Sequence, residues 1–362
     1  MLHPDPSLKR GQKVRARGAG SNRSGRFERN ERVAFDDGWE ADEEDQLLRT
    51  EVRTELARSA LSYNKSPDLP FDRSINPYRG CEHGCIYCFA RPTHAYLNLS
   101  PGLDFETRLI ARPGIEKVLE QELRSRNYKV STVAIGTNTD PYQPCEGTLG
   151  IMRNVLKVLS AFRHPTAITT KGTLIERDVD ILSPMAALGL LRVGVSVTTL
   201  DPQLSRKMEP RAPSPARRLT LIRRLSEAGI PVRAMVAPVV PGLTDQELEP
   251  ILGAVKEAGA VAASWIALRL PMEVSPLVQN WLQTHVPQRA AKVMNRLREM
   301  HGGKDYDSEW GRRMRGQGLW SDLIAQRFDK ACMREGLVKQ LPPLRHDLFS
   351  PPNRSGDQLS LF

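Results

Sequence analysis

The sequence of 362 residues lacks a long apolar run, and its cysteines do not form an even set. No apolar segment approaches the roughly 20 residues needed to cross a lipid bilayer. The N-terminal residues are rich in Arg, Pro and Gly and contain no apolar signal core. Five cysteines, three of them clustered, do not fit a disulfide framework. We therefore expect a cytoplasmic protein with no membrane partner, whose clustered cysteines bind a metal or take part in chemistry.

Charge and size limit the function next. The formal net charge is +10, which favours a polyanionic partner but is also found where the charges only keep a surface soluble. With 40% hydrophobic residues, the chain is long enough for one large domain or two medium ones.

The two ends of the chain differ in composition from the middle. Nine Lys or Arg residues and three acids lie between Met1 and Ala34, and seven acids with no base follow between Phe35 and Asp45. We predict a disordered arm over residues 1–50, basic and then acidic, whose basic part either binds phosphate or folds back on the acidic part. Residues 342–362 are predicted to be a flexible, Pro-punctuated tail.

The middle of the chain alternates between strand and helix patterns. Nearly continuous apolar runs predict buried parallel strands at Thr132–Gly136, Ala167–Thr170, Val193–Val197, Val232–Ala237 and Ser264–Leu268. Apolar residues at a 3.6-residue period predict helices near residues 115–123, 149–159 and 248–255, the last with a capping box at Thr244–Glu247.

A further strand just before Asn76 gives six β/α units. Over residues 51–274 we therefore predict an α/β fold, an open, partial (β/α)6 barrel with its site at the C-terminal ends of the strands. A doubly wound open sheet would show the same alternation. Residues 275–341 are predicted to form a helical C-terminal extension.

Three cysteines follow the first predicted strand with the spacing C-x3-C-x2-C: Cys81, Cys85 and Cys88. Thiolates bind zinc or iron–sulfur clusters, and a closed site normally takes four protein ligands. A zinc site here would need His83 or His94 as the fourth ligand. A [4Fe–4S] cluster held by three cysteines instead leaves one iron free for a small molecule.

The segment from Asn76 to Arg91, NPYRGCEHGCIYCFAR, resembles the cluster loop of radical S-adenosylmethionine (SAM) enzymes, in particular the subgroup similar to spore photoproduct lyase. The resemblance extends from about Arg73 to Gly242. It implies that SAM binds the free iron and that an electron donor reduces the cluster. The reduced cluster then cleaves SAM to methionine and a 5′-deoxyadenosyl radical, which abstracts a hydrogen atom from the substrate. Tyr87 matches the position that lies against the adenine.

Polar residues at later strand ends are candidates for binding SAM. After the second predicted strand these are Gly136, Thr137, Asn138 and Asp140, where the wider family has a Gly-rich turn of different sequence. Lys171 and Ser196 match positions of the photoproduct-lyase pattern, and Arg211 and Arg218 are alternative clamps for the SAM carboxylate. Without the cysteine motif, each of these residues would be interpreted as an ordinary surface or core residue.

Two other features leave alternatives open. Cys145 lies close enough to the barrel mouth to give a hydrogen atom to a substrate radical, but free cysteines more often pack as small apolar residues. The extension carries many arginines near Trp310 and Trp320, which suits nucleic acid or a solvated helical face. These arginines are Arg289, Arg296, Arg298, Arg312, Arg313 and Arg315.

The last residues, Gln358-Leu359-Ser360-Leu361-Phe362, resemble the pentapeptide by which bacterial repair and replication proteins bind the DNA sliding clamp. Gln358, Leu359, Leu361 and Phe362 are the expected contacts, behind a linker that can extend from the body. The alternative is an edge strand or a cover for the barrel. The sequence thus predicts a radical SAM enzyme with nucleic acid as the expected substrate, as for a lyase in DNA repair. The other class is an iron–sulfur or zinc protein that serves interaction or redox sensing without SAM cleavage.

Overall fold

A computed structural model describes residues 16–28 and 48–353. The strands are β1 (Glu51–Thr54), β2 (Leu61–Tyr63), β3 (Arg73–Ile75), β4 (Tyr78–Arg79), β5 (Arg108–Ala111), β6 (Val133–Ile135), β7 (Thr166–Thr170), β8 (Leu191–Ser196), β9 (Val232–Val239) and β10 (Ala262–Ala267). The α-helices are α1 (Asp104–Thr107), α2 (Ile115–Leu123), α3 (Glu146–Leu149), α4 (Ile151–Ala161), α5 (Val179–Ala187), α6 (Pro202–Met208), α7 (Pro215–Glu227), α8 (Leu248–Glu257), α9 (Val274–His285), α10 (Pro287–Met300) and α11 (Gly318–Glu335).

The main sheet has the strand order β10-β9-β8-β7-β6-β3-β2. Its strands from β3 to β10 are parallel, and β2 adds an antiparallel edge. Each new β/α unit is added on the same side, so the order never reverses as it does in a doubly wound sheet. The prediction of a partial (β/α)6 barrel is confirmed. A small second sheet, β1-β5-β4, lies outside this barrel.

The two faces of the main sheet carry different residues. Ile168, Val193 and Val232 belong to the fully buried core shared with the surrounding helices. The alternate positions face the inside of the curved sheet and are more accessible. There the Thr169 hydroxyl donates to the Met235 sulfur at 3.6 Å. The C-terminal strand ends, where the predicted site lies, form one end of this inner face.

Two details of the helix prediction are wrong. The helix expected from Leu149 begins at Ile151, because Gly150 adopts a left-handed conformation that separates α3 from α4. The expected capping box at α8 is absent: a 3₁₀ turn at Asp245–Glu247 precedes the helix, which has no side-chain cap. Glu247 instead accepts hydrogen bonds from Thr199 and Leu200 in the loop after β8.

The C-terminal extension is helical, as predicted, and it closes the open side of the barrel. Val338 pairs with Ala262 at the edge strand β10, and α11 packs on α8. Between α10 and α11, the Met314 carbonyl accepts a hydrogen bond from Ala267 in β10. Arg313 binds Asp68 at 2.6 Å, in the loop after β2. The segment between α10 and α11 therefore joins the two edges of the sheet.

The arginines of this extension form contacts with other residues of the same chain. Arg296 lies 3.7 Å from the Trp320 ring centre and pairs with Asp245. Arg298 and Arg312 pair with Asp305 and Glu309. Arg289 donates to the Gly242 carbonyl, and Arg315 lies over Trp265. These contacts favour the structural interpretation of the arginines over the nucleic-acid one.

The predicted arm and tail are partly packed. Residues 16–28 of the supposedly disordered arm lie against the loop that carries the clustered cysteines, and Ala19 is buried. In the tail, His346 hydrogen-bonds to Thr132, and Phe349 packs against the rings of Tyr128, Phe162 and His164. Residues 342–353 therefore do not form a flexible tail. Residues 1–15 and 29–47, and the clamp-like peptide with Gln358, Leu359, Leu361 and Phe362, lie outside the described residues.

No helix in the described part of the chain is both long enough and apolar enough to span a membrane.

Candidate functional site

The three clustered cysteines lie on the loop that follows β3, at the C-terminal edge of the barrel. Cys81 and Cys85 are buried, Cys88 is half-buried, and all three are free thiols. The loop turns tightly, with backbone hydrogen bonds from Gly84 to Cys81 and from Cys88 to Cys85. The position at the strand ends agrees with the prediction.

A buried arginine holds this loop in shape. Arg91 donates to the carbonyls of Cys85 and Gly84 and pairs with Glu106 at 2.5 Å. Neither Arg91 nor Glu106 is exposed. The Glu106 carboxylate also accepts from the backbone N–H groups of Gly18 and Ala19 at 2.9 and 2.8 Å. Glu106 therefore holds the loop in place through Arg91 and also binds the N-terminal segment.

Gly84 has no room for a side chain at this junction. Its φ is +66°, and a Cβ would lie 2.6 Å from Glu106 Oε2. From the other side, a Cβ on Gly18 would lie 1.8 Å from the Gly84 carbonyl oxygen. The N-terminal segment and the cysteine loop therefore approach each other backbone to backbone.

Burial favours the protonated thiols of Cys81 and Cys85. Burial raises the pKa of Cys85 to about 12, although the nearby Lys171 ammonium acts in the opposite direction. Burial also raises the pKa of Cys81, with further contributions from Asp140, Cys85 and Cys88. The thiols are thus close enough to affect one another. Metal binding at this loop would release their protons.

The donor set fits a cluster better than a single zinc ion. Within residues 16–28 and 48–353, no three His, Cys, Asp or Glu side chains are gathered to hold one metal ion. A cubane cluster does not require this, because each cysteine binds a different iron. The histidines needed for zinc are engaged: His94 hydrogen-bonds to the Arg108 carbonyl at 2.9 Å, and His83 lies 3.4 Å from Asp140.

Next to the cysteines lies a buried charged network formed by Tyr87, Glu209 and Arg218. Glu209 accepts hydrogen bonds from the Tyr87 hydroxyl, the Arg218 guanidinium and, at 3.1 Å, the Thr198 hydroxyl. Burial alone would raise the pKa of Glu209, but Arg218 and Lys171 outweigh it and lower the pKa to about 2. Arg218 also donates to the Ser196 and Pro213 carbonyls. All three guanidinium nitrogens of Arg218 thus donate within the protein, which favours a structural role over contact with a ligand carboxylate.

Lys171 follows β7 directly. Its ammonium lies 5.8 Å from the centre of the Tyr87 ring, and in the described part of the chain it forms no ion pair. Burial would lower the pKa of Lys171, but the proximity of Cys85 and Glu209 raises it. Ser196 ends β8 nearby with a buried side chain. The structure thus brings Tyr87, Lys171 and Ser196 to the side of the cysteine loop.

The turn after β6 has a structural explanation. Gly136 has a φ of +84°, and a Cβ there would lie 1.9 Å from the Thr169 carbonyl oxygen, so close backbone packing requires glycine. Asp140 accepts from the Thr170 hydroxyl and the Lys171 N–H at 2.6 and 2.7 Å. Burial would raise its pKa, but His83 and these bonds lower it. Asp140 thus ties β7 to the cysteine loop.

Thr137 and Asn138 lie beside this turn and are half-buried. Among the described residues, neither side chain forms a hydrogen bond. They remain candidates for contact with a ligand.

Arg211 lies at a small cavity of about 310 Å³, which His83, Tyr142, Pro144 and Gly172 also line. Its guanidinium pairs with the buried Glu82 at 3.1 Å. Glu82 also accepts from the Thr50 hydroxyl and from the Cys145 backbone N–H. Arg211 is therefore already paired, and its predicted contact with a SAM carboxylate would require it to exchange partners.

Cys145 lies behind Glu82, not in the lining of this cavity, and is packed against the main core. Burial, together with the Glu82 and Glu146 carboxylates, raises the pKa of Cys145 to about 12. Its thiol therefore stays protonated, which is the form that could give up a hydrogen atom. Its position favours the packing interpretation.

Three residues that hold the site were not identified from the sequence: Glu82, Glu106 and Glu209. Each is buried and paired with arginine. For Glu209 the sequence offered one signal: this residue lies two positions before Arg211, which was itself a candidate site residue. Glu106 lies 15 residues from its partner Arg91 and had no such signal.

Fold and site together define an α/β protein of the partial-barrel class, with a loop of three free cysteines at the C-terminal strand ends. The family model of the radical SAM superfamily matches residues 75–255. The chain belongs to the radical SAM superfamily, whose members use a [4Fe–4S] cluster and SAM.

Relatives with similar sequences carry no described activity. An uncharacterised protein of Mycobacterium tuberculosis is 41% identical over 251 residues, covering 68% of this chain and 72% of that protein. An uncharacterised protein of Methanocaldococcus jannaschii is 28% identical over 200 residues, covering 55% of this chain and 71% of that protein.

Among solved structures, a spore photoproduct lyase variant with bound AdoMet and dinucleoside spore photoproduct is similar. The TM-score is 0.54 at 16% identity, covering 80% of this chain and 82% of the lyase. At this identity the likeness shows a shared fold.

Proposed function

We propose that this chain is a radical SAM enzyme that cleaves SAM reductively and abstracts a hydrogen atom from a nucleic-acid substrate. The observation that carries the proposal is the placement of three free thiols on one rigid loop beside the unpaired Lys171 ammonium. Three cysteine ligands bind three irons of a [4Fe–4S] cluster and leave the fourth iron free for a small molecule. Cys81, Cys85 and Cys88 would hold that cluster.

The chain's own residues would bind and orient SAM. The Lys171 ammonium forms no ion pair among the described residues and can donate a charge-assisted hydrogen bond to the SAM carboxylate. The Tyr87 ring is held in place by its hydrogen bond to Glu209 and can offer one face to the adenine. Ser196 can donate to a ribose or carboxylate oxygen. Thr137 and Asn138, whose side chains form no hydrogen bond with the rest of the described chain, can contact the methionine end.

When bound and reduced by an electron donor, the cluster supplies the electron that cleaves SAM to methionine and a 5′-deoxyadenosyl radical. The nucleic-acid substrate is proposed from the net charge of +10. The dinucleoside spore photoproduct bound by the structurally similar lyase gives further support. Cys145 could return a hydrogen atom only to a substrate radical that reaches it behind Glu82.

The test is anaerobic reconstitution with iron and sulfide, reduction by dithionite, and measurement of 5′-deoxyadenosine formed from SAM. We expect product from the wild type and from Cys145→Ser, and none from Cys85→Ser. A cluster-replete, reduced sample that leaves SAM intact would refute the proposal. It would place the chain with iron–sulfur proteins that serve interaction or redox sensing.

A further inference from the structure

An exposed group of aromatic and arginine side chains lies beside the cysteine loop. It comprises Arg26, Phe27, Phe89 and Tyr96 together with the half-buried Arg269, and is called the Arg–aromatic patch below. The side chains of Phe27, Phe89 and Tyr96 are 51%, 43% and 69% exposed. Exposed aromatic side chains that lie together mark a candidate binding surface.

The first half of the patch is a stack. The rings of Phe27 and Tyr96 lie 5.2 Å apart, tilted by 34°. The Arg26 guanidinium lies over both rings, 5.4 and 5.8 Å from their centres. Arg26 is held from the loop after β10, where it pairs with Glu273 at 3.3 Å and contacts the Met272 sulfur.

The second half lies next to the cluster ligand Cys88. Phe89 follows Cys88 directly, and the Arg269 guanidinium stacks 4.3 Å from the Phe89 ring centre. Arg269 comes just after β10, so this contact joins the first and the last parallel strands across the open side of the barrel. The nearby acid Asp68 is bound by Arg313. In the part of the chain that the structure describes, Arg269 forms no ion pair.

We propose that the Arg–aromatic patch binds unpaired nucleotides of a nucleic acid and guides the target base to the site. This inference rests on the proposed function and names its substrate more closely. The ring faces suit base stacking, and the Arg269 guanidinium, which has no acidic partner among the described residues, suits a phosphate. A duplex hides its base faces in the stack, so a single strand or an extruded nucleotide is the form that fits.

The location gives the patch its direction. The loop after β10 links the two halves, because it contains both Arg269 and the Met272 and Glu273 side chains that contact Arg26. A strand laid along the patch would place one base beside Cys88, at the C-terminal ends of the strands. The five residues are outside the set that holds the cluster or SAM, so substitutions there should leave both intact.

The test is fluorescence anisotropy of labelled oligothymidine with reconstituted protein, comparing Tyr96→Ala with Tyr63→Ala. Tyr63 is a matched control: it is 65% exposed and stacks with another arginine, Arg73. One lost stacking contact should weaken binding by about 5- to 100-fold in Tyr96→Ala. Tyr63→Ala should bind like the wild type.

Arg269→Gln provides a second readout. Loss of one phosphate contact should reduce the slope of log affinity against log salt by about 0.7 for a single strand. Oligouridine in place of oligothymidine separates RNA from DNA, and the inference holds for either. An unchanged affinity in Tyr96→Ala together with an unchanged slope in Arg269→Gln overturns it. Tighter binding of a duplex, or an equal loss in Tyr63→Ala, also overturns it.

SAM cleavage without added substrate keeps this inference distinct from the proposed function. Tyr96→Ala should form 5′-deoxyadenosine at the wild-type rate, which also shows that it is folded. If the wild type cleaves SAM but binds no oligonucleotide, the patch inference and the nucleic-acid substrate fail, while the proposed SAM cleavage stands. If it binds oligonucleotide but cannot cleave SAM, only the proposed function fails.

Discussion

Glu209→Gln is the substitution that most strongly tests the buried charged network beside the cysteines. The change keeps the shape of the side chain but removes the charge that faces Arg218 and Lys171. Removing one partner of a buried ion pair typically costs about 3–5 kcal/mol, because the other charge is left uncompensated.

The pKa of Glu209 leads to a similar magnitude. A fall of the pKa from 4.5 in the unfolded chain to about 2 in the folded protein corresponds to about 3 kcal/mol. Because the folded pKa is the lower one, this stabilisation is complete above about pH 5. It is lost as the pH falls toward 2. The difference in unfolding free energy between wild type and Glu209→Gln should therefore be largest at pH 7 and shrink below pH 4.5.

The assay is urea unfolding followed by circular dichroism between pH 2 and pH 7. Glu176→Gln is the matched control, because Glu176 binds Arg217 and Arg224 of the same helix α7 at 2.7 Å, but at the surface. It should cost no more than about 1 kcal/mol. Equal midpoints for the two variants at pH 7, or a Glu209→Gln difference that does not depend on pH, would refute the reasoning.

Three further predictions concern single features of the chain. Lys171→Ala should weaken SAM binding by about one to two decades, which is a larger effect than its change in folding stability, whereas the exposed Lys157→Ala should bind as the wild type does. Equilibrium dialysis on reconstituted protein decides, and equal affinities would exclude the lysine. Gly136→Ala should lower the free energy of unfolding by more than about 1 kcal/mol. Gly253→Ala, in an open position of α8, should raise the free energy of unfolding by about 0.5–1 kcal/mol. Similar urea midpoints for both variants would contradict the crowding at Gly136. Purified sliding clamp should bind the intact tail but not Leu361→Ala/Phe362→Ala in an anisotropy titration, and equal binding by both, or by neither, rules that contact out.

The barrel and the cysteine loop could be predicted because their signals are local. Strands buried under helices appear as apolar runs, and the three clustered cysteines lie within eight residues. Their order along the chain is also their order in the sheet, so no long-range information was needed.

The supporting contacts could not be predicted because their partners are distant. Tyr87 and Glu209 are 122 residues apart, and Gly18 and Glu106 are 88 apart. The prediction of a capping box was wrong for the same reason, because Glu247 binds the loop after β8 and not its own helix. The Gly- and Arg-rich composition near Gly18 indicated disorder. In the structure this glycine instead permits close contact with Gly84.

The electron paramagnetic resonance spectrum of the reduced, reconstituted protein, recorded with and without SAM, tests the central claim most directly. Three cysteines that leave one iron open predict one [4Fe–4S] cluster per chain and a spectrum that changes when SAM is added. The signal should be lost in Cys85→Ser and kept in Cys145→Ser. One zinc per chain, a signal retained in Cys85→Ser, or a spectrum that SAM leaves unchanged would contradict the account.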